Sequence, residues 1–284
     1  VSEETGTISV AIGGMLKRHL APQTLEKLLQ NELLPRLMQK DQRLVSHELH
    51  FYGIGESELE YKLHDLMAKS KNPTIAPYAG TGEVKLRVTA SLPEGEDAEA
   101  LLQPAIKKIL AAAGDYCYGI DVPDLQTAAV QALRQKGLTV ASAESCTGGL
   151  VAARLTEVPG ASAVFGCGIV SYNNTVKAEV LGVDPAIIEQ HTAVSAETAA
   201  AMAEAVRKKS GADIGIGVTG NVGPSASEGQ PVGLVFVAVA SEKYSHVSRL
   251  FIDRHDADAR NLIRHFAALK ALSLILRAAG YYKE

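Results

Sequence analysis

The chain has 284 residues, 46% of them hydrophobic and 21% charged, with a formal net charge of −4. That length accommodates two domains with separate cores, and that composition excludes a disordered chain and argues against a dominant nucleic-acid or anionic-membrane surface. Three cysteines, Cys117, Cys146 and Cys167, follow no zinc spacing and are too few for a disulfide scaffold, so a reducing, cytoplasmic setting is expected.

Apolar runs such as 234–240 are too short to span a bilayer, and no membrane partner is expected. The start at Val1 has neither an initiator Met nor a basic and apolar leader, which points to a fragment or processed product without a signal peptide.

Residues 22–39 read as an amphipathic helix, with Leu25, Leu28, Leu29, Leu33 and Leu37 roughly along one face. Period-two alternation then predicts strands over 46–54, 74–78 and 83–91, separated by a helix over 56–70. A helix over 96–113 and a short strand over 116–120 complete a β-α-β-β-α-β order, that of a small split sheet covered by helices on one side. From a helix at about 123–136 onward the pattern changes to strand–loop–helix units. Strands are expected over 138–143, 165–172, 214–218, 233–240 and 246–252, the last two as a hairpin. Helices are expected over 148–157, 175–181, from Pro185, from Ser195 to about 210, and over 258–279. The expected fold class is α/β: a linker helix within 1–40, a small α+β domain over 41–121, and an α/β domain with a mixed sheet over 122–284.

Chemistry on such sheets gathers in loops at the carboxyl ends of strands, beside helix N-termini. Three polar or Gly-rich loops qualify: 144–149, 171–177 and 219–224. In the first, Ser145 stands where a strand ends, and Gly148 and Gly149 allow close backbone approach as a helix begins. That arrangement suits a nucleophile with an oxyanion site of backbone N–H groups, and equally a plain helix cap. A serine nucleophile needs a base, and these loops contain no His, which leaves Lys177. Keeping that amine neutral near pH 7 means lowering its pKa from about 10.4, at about 4 kcal/mol, which demands burial or a cationic neighbour. Tyr172 is placed to share a hydrogen bond with it. Against this stand a solvated Lys177 on a helix surface and Cys146 as either a rival nucleophile or a buried filler.

Gly215-Ile-Gly217-Val-Thr-Gly220 matches a dinucleotide-binding pattern, but its glycines lie within or just past a strand and no helix follows, so no nucleotide cofactor is expected. The acidic cluster Asp253, His255, Asp256 and Asp258 reads as the solvated start of the last helix, and no metal is expected.

Taken together, the motifs Ala143-Glu-Ser-Cys-Thr-Gly-Gly149, Tyr172-x-Asn174-x-x-Lys177 with Leu181-Gly-Val183, Ala193-Val-Ser195, and Thr219-Gly220-x-x-Gly223-Pro224 with Pro231-Val-Gly233 resemble the CinA family. Phe51-Tyr-Gly-Ile-Gly-Glu-Ser57, Asn72-Pro-Thr-Ile-Ala-Pro-Tyr78 and Gly82-Glu-Val-Lys-Leu-Arg87 are similar to that family's KH-like linking domain. The family's first domain, which resembles molybdopterin-binding proteins, is expected to be missing.

The resemblance implies hydrolysis of the carboxamide of nicotinamide mononucleotide to nicotinic acid mononucleotide and ammonia. Ser145 would be the nucleophile, Lys177 its base, and Tyr172 the group orienting the amine. Thr147, Gly148, Gly149, Asn174, Thr219, Gly220, Gly223 and Arg254 would bind substrate. The resemblance also implies a small-molecule nucleotide as partner, no cofactor and a homo-oligomer. Asn221 and Val222 stand where the family has Ile and Ala, the following turn holds only Gly229, and Asp253-Arg254 takes the place of a Gly-Asp-Arg element. The competing readings are a non-catalytic scaffold or a competence- or DNA-damage-associated regulator. A third, nucleic-acid binding through the KH-like module, is disfavoured because Gly53-Ile-Gly55 is not the Gly-x-x-Gly clamp of such domains.

Overall fold

The computed structural model describes residues 10–12, 15–17, 26–27 and 42–281. Two short strands, β1 (Val10–Ile12) and β2 (Met15–Lys17), pair antiparallel. Of the helix predicted over 22–39, Glu26 and Lys27 are described and are helical; the rest of it lies outside the described residues.

The small domain runs β3 (Gln42–Tyr52), α1 (Glu56–Lys69), β4 (Thr74–Ala79), β5 (Glu83–Pro93), α2 (Ala98–Ala113), a 3-10 turn (Gly114–Tyr116) and β6 (Cys117–Ile120). The sheet is wholly antiparallel in the order β4-β5-β3-β6. Strand alternation sends Val84, Leu86, Val88, Ala90 and Leu92 to one face, where Leu86 pairs with Leu49. Leu59 and Leu63 of α1 and Leu102, Ile106 and Ile109 of α2 close over that face as a core. Asp97 starts α2 by accepting the Glu99 N–H.

The second domain begins with α3 (Leu125–Lys136), capped by Asp124 and ended by Gly137 at φ 64°. It continues through β7 (Val140–Glu144), α4 (Leu150–Glu157), β8 (Phe165–Val170), a π-helical turn (Val176–Leu181), α5 (Pro185–His191), α6 (Ala196–Ser210), β9 (Ile214–Gly220), β10 (Leu234–Ser241), β11 (Ser245–Phe251) and α7 (Ala259–Ala278). The sheet order is β11-β10-β9-β7-β8, with β7 parallel to β8 and β9 and the β10–β11 hairpin antiparallel. It is the mixed sheet that the strand–loop–helix pattern predicts. Helices α3, α4 and α7 cover one face, and α6 the other.

The glycines of the dinucleotide-like pattern have a packing role. A Cβ on Gly215 would collide with the Ala203 carbonyl, and one on Gly217 with the Ala199 carbonyl. Alanine-rich α6 therefore lies directly on glycine-bearing β9. The two domains meet where the β4–β5 turn touches α7: the Thr81 carbonyl lies 2.8 Å from His265 Nε2, and Gly82, at φ +88°, leaves room for Phe266. Arg154 Nη2 stands 2.5 Å from the other nitrogen, Nδ1, of the same ring.

Two predicted helices begin or wind differently. The helix expected from Gly148 starts at Leu150, because Gly148 and Gly149 both adopt positive φ, 61° and 93°. The helix expected over 175–181 is π-helical from Val176. No helix among the described residues is long and apolar enough to cross a membrane.

Candidate active site

Because β7, β8 and β9 run parallel, their carboxyl ends open at one edge of the sheet, and the loops that follow them converge there. The ladder continues past the strand ends: Ser145 N–H donates to the Val218 carbonyl at 2.9 Å, and Ser171 N–H to the Glu144 carbonyl at 2.8 Å. These bonds hold Ser145 beside the segment that leaves β8. Ser145 is 8% exposed and Lys177 only 1%. Lys177 Nζ lies 3.4 Å from Ser145 Oγ and 3.4 Å from the Tyr172 carbonyl oxygen, which is itself 3.5 Å from Ser145 Oγ. One serine, one lysine and one carbonyl thus form a closed triangle.

The serine loop is pinned at both ends. The buried Glu144 carboxylate accepts the N–H groups of Val151 at 3.0 Å and Ala152 at 2.9 Å, and the Ser142 hydroxyl at 3.2 Å. Those amides are orphan donors in the first turn of α4, so a carboxylate at the end of β7 both caps the helix and opposes its dipole. On the other side Arg264 of α7 donates twice to the Thr147 carbonyl, at 2.9 and 3.3 Å.

Burial holds the Lys177 ammonium below the usual lysine range, while the charge of Glu228 opposes that shift. A shift in that direction is the one a general base requires. Burial acts on the neighbouring thiol in the other direction, pushing Cys146 up to about 12. A thiol that burial keeps protonated is a poor nucleophile, which argues against Cys146 as the rival to Ser145.

Above the triangle opens a pocket of about 300 Å3. Asn174, Thr219, Gly220 and Gly223 line it together with Ser145, Lys177 and Tyr172. Thr219 Oγ1 donates to the Ala193 carbonyl at 2.6 Å, tying the β9 loop to the start of α6. Asn221 holds the turn that follows, donating to the Ser225 and Gln230 carbonyls at 3.1 and 3.0 Å and accepting from Gly223 N–H at 3.0 Å.

Several of the predicted residues take other places. The Tyr172 phenol is 59% exposed and meets Arg260 Nη2 at 3.3 Å, so it is the backbone carbonyl of Tyr172 that contacts the amine. Thr147, Gly148 and Gly149 lie behind the pocket wall, and Thr147 Oγ1 is buried without a hydrogen-bond partner. Arg254 pairs with Asp256 at 2.9 Å outside the pocket; the arginine that reaches it is Arg260, whose Nη1 donates to the Gly223 carbonyl at 2.6 Å. Arg260 has a legible signal, since it precedes Arg264 by four residues and so shares a face of α7 with it. Glu228 was also missed. Its Oε2 accepts the Ala193 N–H at 2.7 Å, and its Oε1 the Asn174 amide at 3.4 Å. The residue has φ 52°, unusual for a side chain with a Cβ, in a segment that reads as an ordinary polar turn. Among the described residues no group of three or more His, Cys, Asp or Glu side chains gathers as a metal centre.

The family described as the CinA C-terminal domain matches residues 123–279, and the one described as the damage-inducible protein CinA KH domain matches residues 46–119. A competence-damage inducible protein of Lysinibacillus sphaericus is 43% identical over 270 residues, covering 93% of this chain and 64% of that protein. A CinA-like protein of Kosmotoga olearia is 38% identical over 280 residues, covering 98% and 66%. Among solved structures, the competence/damage inducible protein CihA from Agrobacterium tumefaciens superposes with a TM-score of 0.52 at 35% identity, covering 56% of this chain and 95% of that one. The chain spans roughly half to two thirds of the length of the curated relatives it matches.

Proposed function

The chain belongs to the CinA family, and on that footing we propose that it is an amidohydrolase that converts nicotinamide mononucleotide to nicotinic acid mononucleotide and ammonia. The observation that carries this reading is the 3.4 Å approach of a buried lysine amine to a serine hydroxyl in a pocket that also holds Glu228 and Arg260. Each of these features has a use in amide hydrolysis.

Neutral Lys177 takes the Ser145 proton as Oγ bonds to the carboxamide carbon. The carbonyl π pair moves onto oxygen to give a tetrahedral oxyanion. As that intermediate collapses, the C–N bond breaks and the Lys177 ammonium returns its proton to the leaving nitrogen, releasing ammonia and an acyl-serine. Water then attacks the ester, Lys177 taking its proton. The ester C–O bond breaks, the proton returns to Ser145 Oγ, and the free acid leaves. In both halves the transient ammonium faces the Tyr172 carbonyl and the Glu228 charge, which stabilise it while it exists. The main-chain N–H of Cys146, beside Ser145 on the pocket lining, is suited to the oxyanion. Arg260, with N–H groups beyond the two that bind Gly223 and Tyr172, is suited to a phosphate. We further propose that the enzyme works in the cytoplasm as a homo-oligomer.

The test is ammonia release from nicotinamide mononucleotide by the native chain, Ser145→Ala and Lys177→Ala. Turnover by the native chain and loss of at least about a thousandfold in each variant is expected. Activity that survives in Ser145→Ala refutes the mechanism, and an inert native chain favours a non-catalytic, regulatory member of the family.

A further inference from the structure

We propose that Glu228 is a specificity-determining residue that selects substrates carrying a positive charge on the ring bearing the carboxamide, a choice that rests on the amidohydrolase reading above. Three charged side chains line the pocket among the described residues: Lys177, Glu228 and Arg260. Lys177 is committed to Ser145 at the floor, and Arg260 is anchored from α7 through the Gly223 carbonyl and the Tyr172 hydroxyl. That leaves one carboxylate, set at the rim by a turn of this chain.

Its position is held by the surrounding structure. The Glu228 backbone sits at φ 52°, which a residue with a Cβ adopts at a cost, and the side chain is fixed by the Ala193 N–H and the Asn174 amide. Each of these donors comes from a different part of the site: Asn174 precedes the π-turn that carries Lys177, and Ala193 precedes α6. The two bonds use part of the acceptor capacity of a carboxylate and leave the rest on a side chain that lines the pocket.

An anionic group and a cationic group at separate points give the pocket a polarity. A phosphate is repelled by Glu228 and drawn to Arg260. A ring with a fixed positive charge is drawn toward Glu228, which brings its carboxamide to the Ser145 end, because Glu228 holds the amide of Asn174, three residues before Lys177, and all of them line one pocket. A neutral aromatic carboxamide of the same shape gains nothing from the carboxylate. The ring charge is present in both ground and transition states, so the contribution is uniform binding and belongs in KM rather than kcat.

The experiment compares the full chain with Glu228→Gln on two substrates. One is nicotinamide mononucleotide, whose pyridinium ring is cationic; the other is its neutral isostere, the 5′-monophosphate of benzamide riboside, in which a phenyl ring replaces the pyridinium. Glutamine keeps an acceptor for Ala193 and removes the charge. Assays run on the alkaline plateau of each variant's pH profile, so that any change in Lys177 ionisation drops out. In Glu228→Gln the ratio of kcat/KM values between the cationic and the neutral substrate falls about tenfold through the KM of the cationic one, while any loss of kcat from weaker support of the Lys177 ammonium is shared by both. A parallel fall for both substrates assigns Glu228 a purely structural role and overturns the proposal, as does an unchanged KM for the cationic one. Failure of the native chain to release ammonia from either compound overturns the amidohydrolase reading, and the proposal with it.

Discussion

Replacing Glu144 with alanine removes the acceptor for two main-chain amides, Val151 N–H and Ala152 N–H, inside a region closed to water. A buried amide left without a partner costs about 1–3 kcal/mol, so the two together put the loss at about 2–6 kcal/mol. The helix-dipole contribution acts through the same bonds and is not added again. The Ser142 hydroxyl can rotate to another acceptor and is left out as well. Glu144→Gln retains one carboxamide oxygen but presents its NH2 to the second amide, so about half of the loss, roughly 1–3 kcal/mol, is expected. The assay is urea unfolding followed by circular dichroism. With a slope of about 2 kcal/mol/M, the alanine midpoint should fall by roughly 1–3 M and the glutamine midpoint by less. An alanine variant within about 0.5 kcal/mol of the native chain refutes the reasoning. So does a glutamine variant no more stable than the alanine one.

The other predictions concern the floor of the site and its supports. Cys146→Ala should keep ammonia release within about twofold of native, because a thiol pushed to about 12 is not the nucleophile; loss of the acyl-enzyme in that variant contradicts the assignment. Lys177 binds its proton less tightly folded than unfolded, so its burial destabilises the fold at low and neutral pH, and the penalty fades as pH rises toward about 10.4. Lys177→Met should therefore raise Tm at pH 7 by an amount that shrinks toward that pH, and a gain independent of pH in thermal melts would count against a buried, depressed amine. Gly217→Ala should lower stability by about 1–3 kcal/mol or more in the same urea assay, since the added methyl meets the α6 backbone rather than a side chain that can move. Arg264→Ala should reduce kcat with little change in Cys146 burial; an unchanged kcat would show that the Ser145–Gly149 turn holds its shape without that arginine.

Much of the scaffold was readable because its cues are local. Alternation in Val84-Lys85-Leu86-Arg87-Val88 marks a half-buried strand, and Asp97, Asp124 and Ser195 mark helix starts by chemistry that needs no tertiary partner. The convergence of the Ser145 and Lys177 loops was legible for a similar reason, since both follow apolar strands that a mixed sheet sets side by side. What escaped the sequence depends on backbone conformation. The Tyr172 contact runs through a carbonyl that every residue has, so the identity of the side chain pointed to the wrong atom. Glu228 works from a positive-φ turn that its neighbours Ser227 and Gly229 do not announce. Arg254 and Arg260 both precede or open the last helix, and only the direction of α7 decides which one reaches the pocket. Glu144 reads as one more polar residue in a loop until the five-residue turn folds α4 back onto it.

The π-helical turn at Val176–Leu181 carries one further consequence. A turn closed from residue i to i+5 contains one residue more than an α-helical turn closed at i+4. Removing a single residue between Lys177 and Leu181 leaves what an ordinary α-helical turn needs, so the segment can close at i+4 and deliver Leu181 and Gly182 at nearly the same phase. Leu181 would keep its place in the core with Val183 and Met202, and Gly182 its place at the end of the turn, where φ is 91°. What the extra residue sets is the length of backbone between the amine and the core residue that anchors the turn. Single-residue deletions from 178 to 180 probe that length, which no substitution can reach.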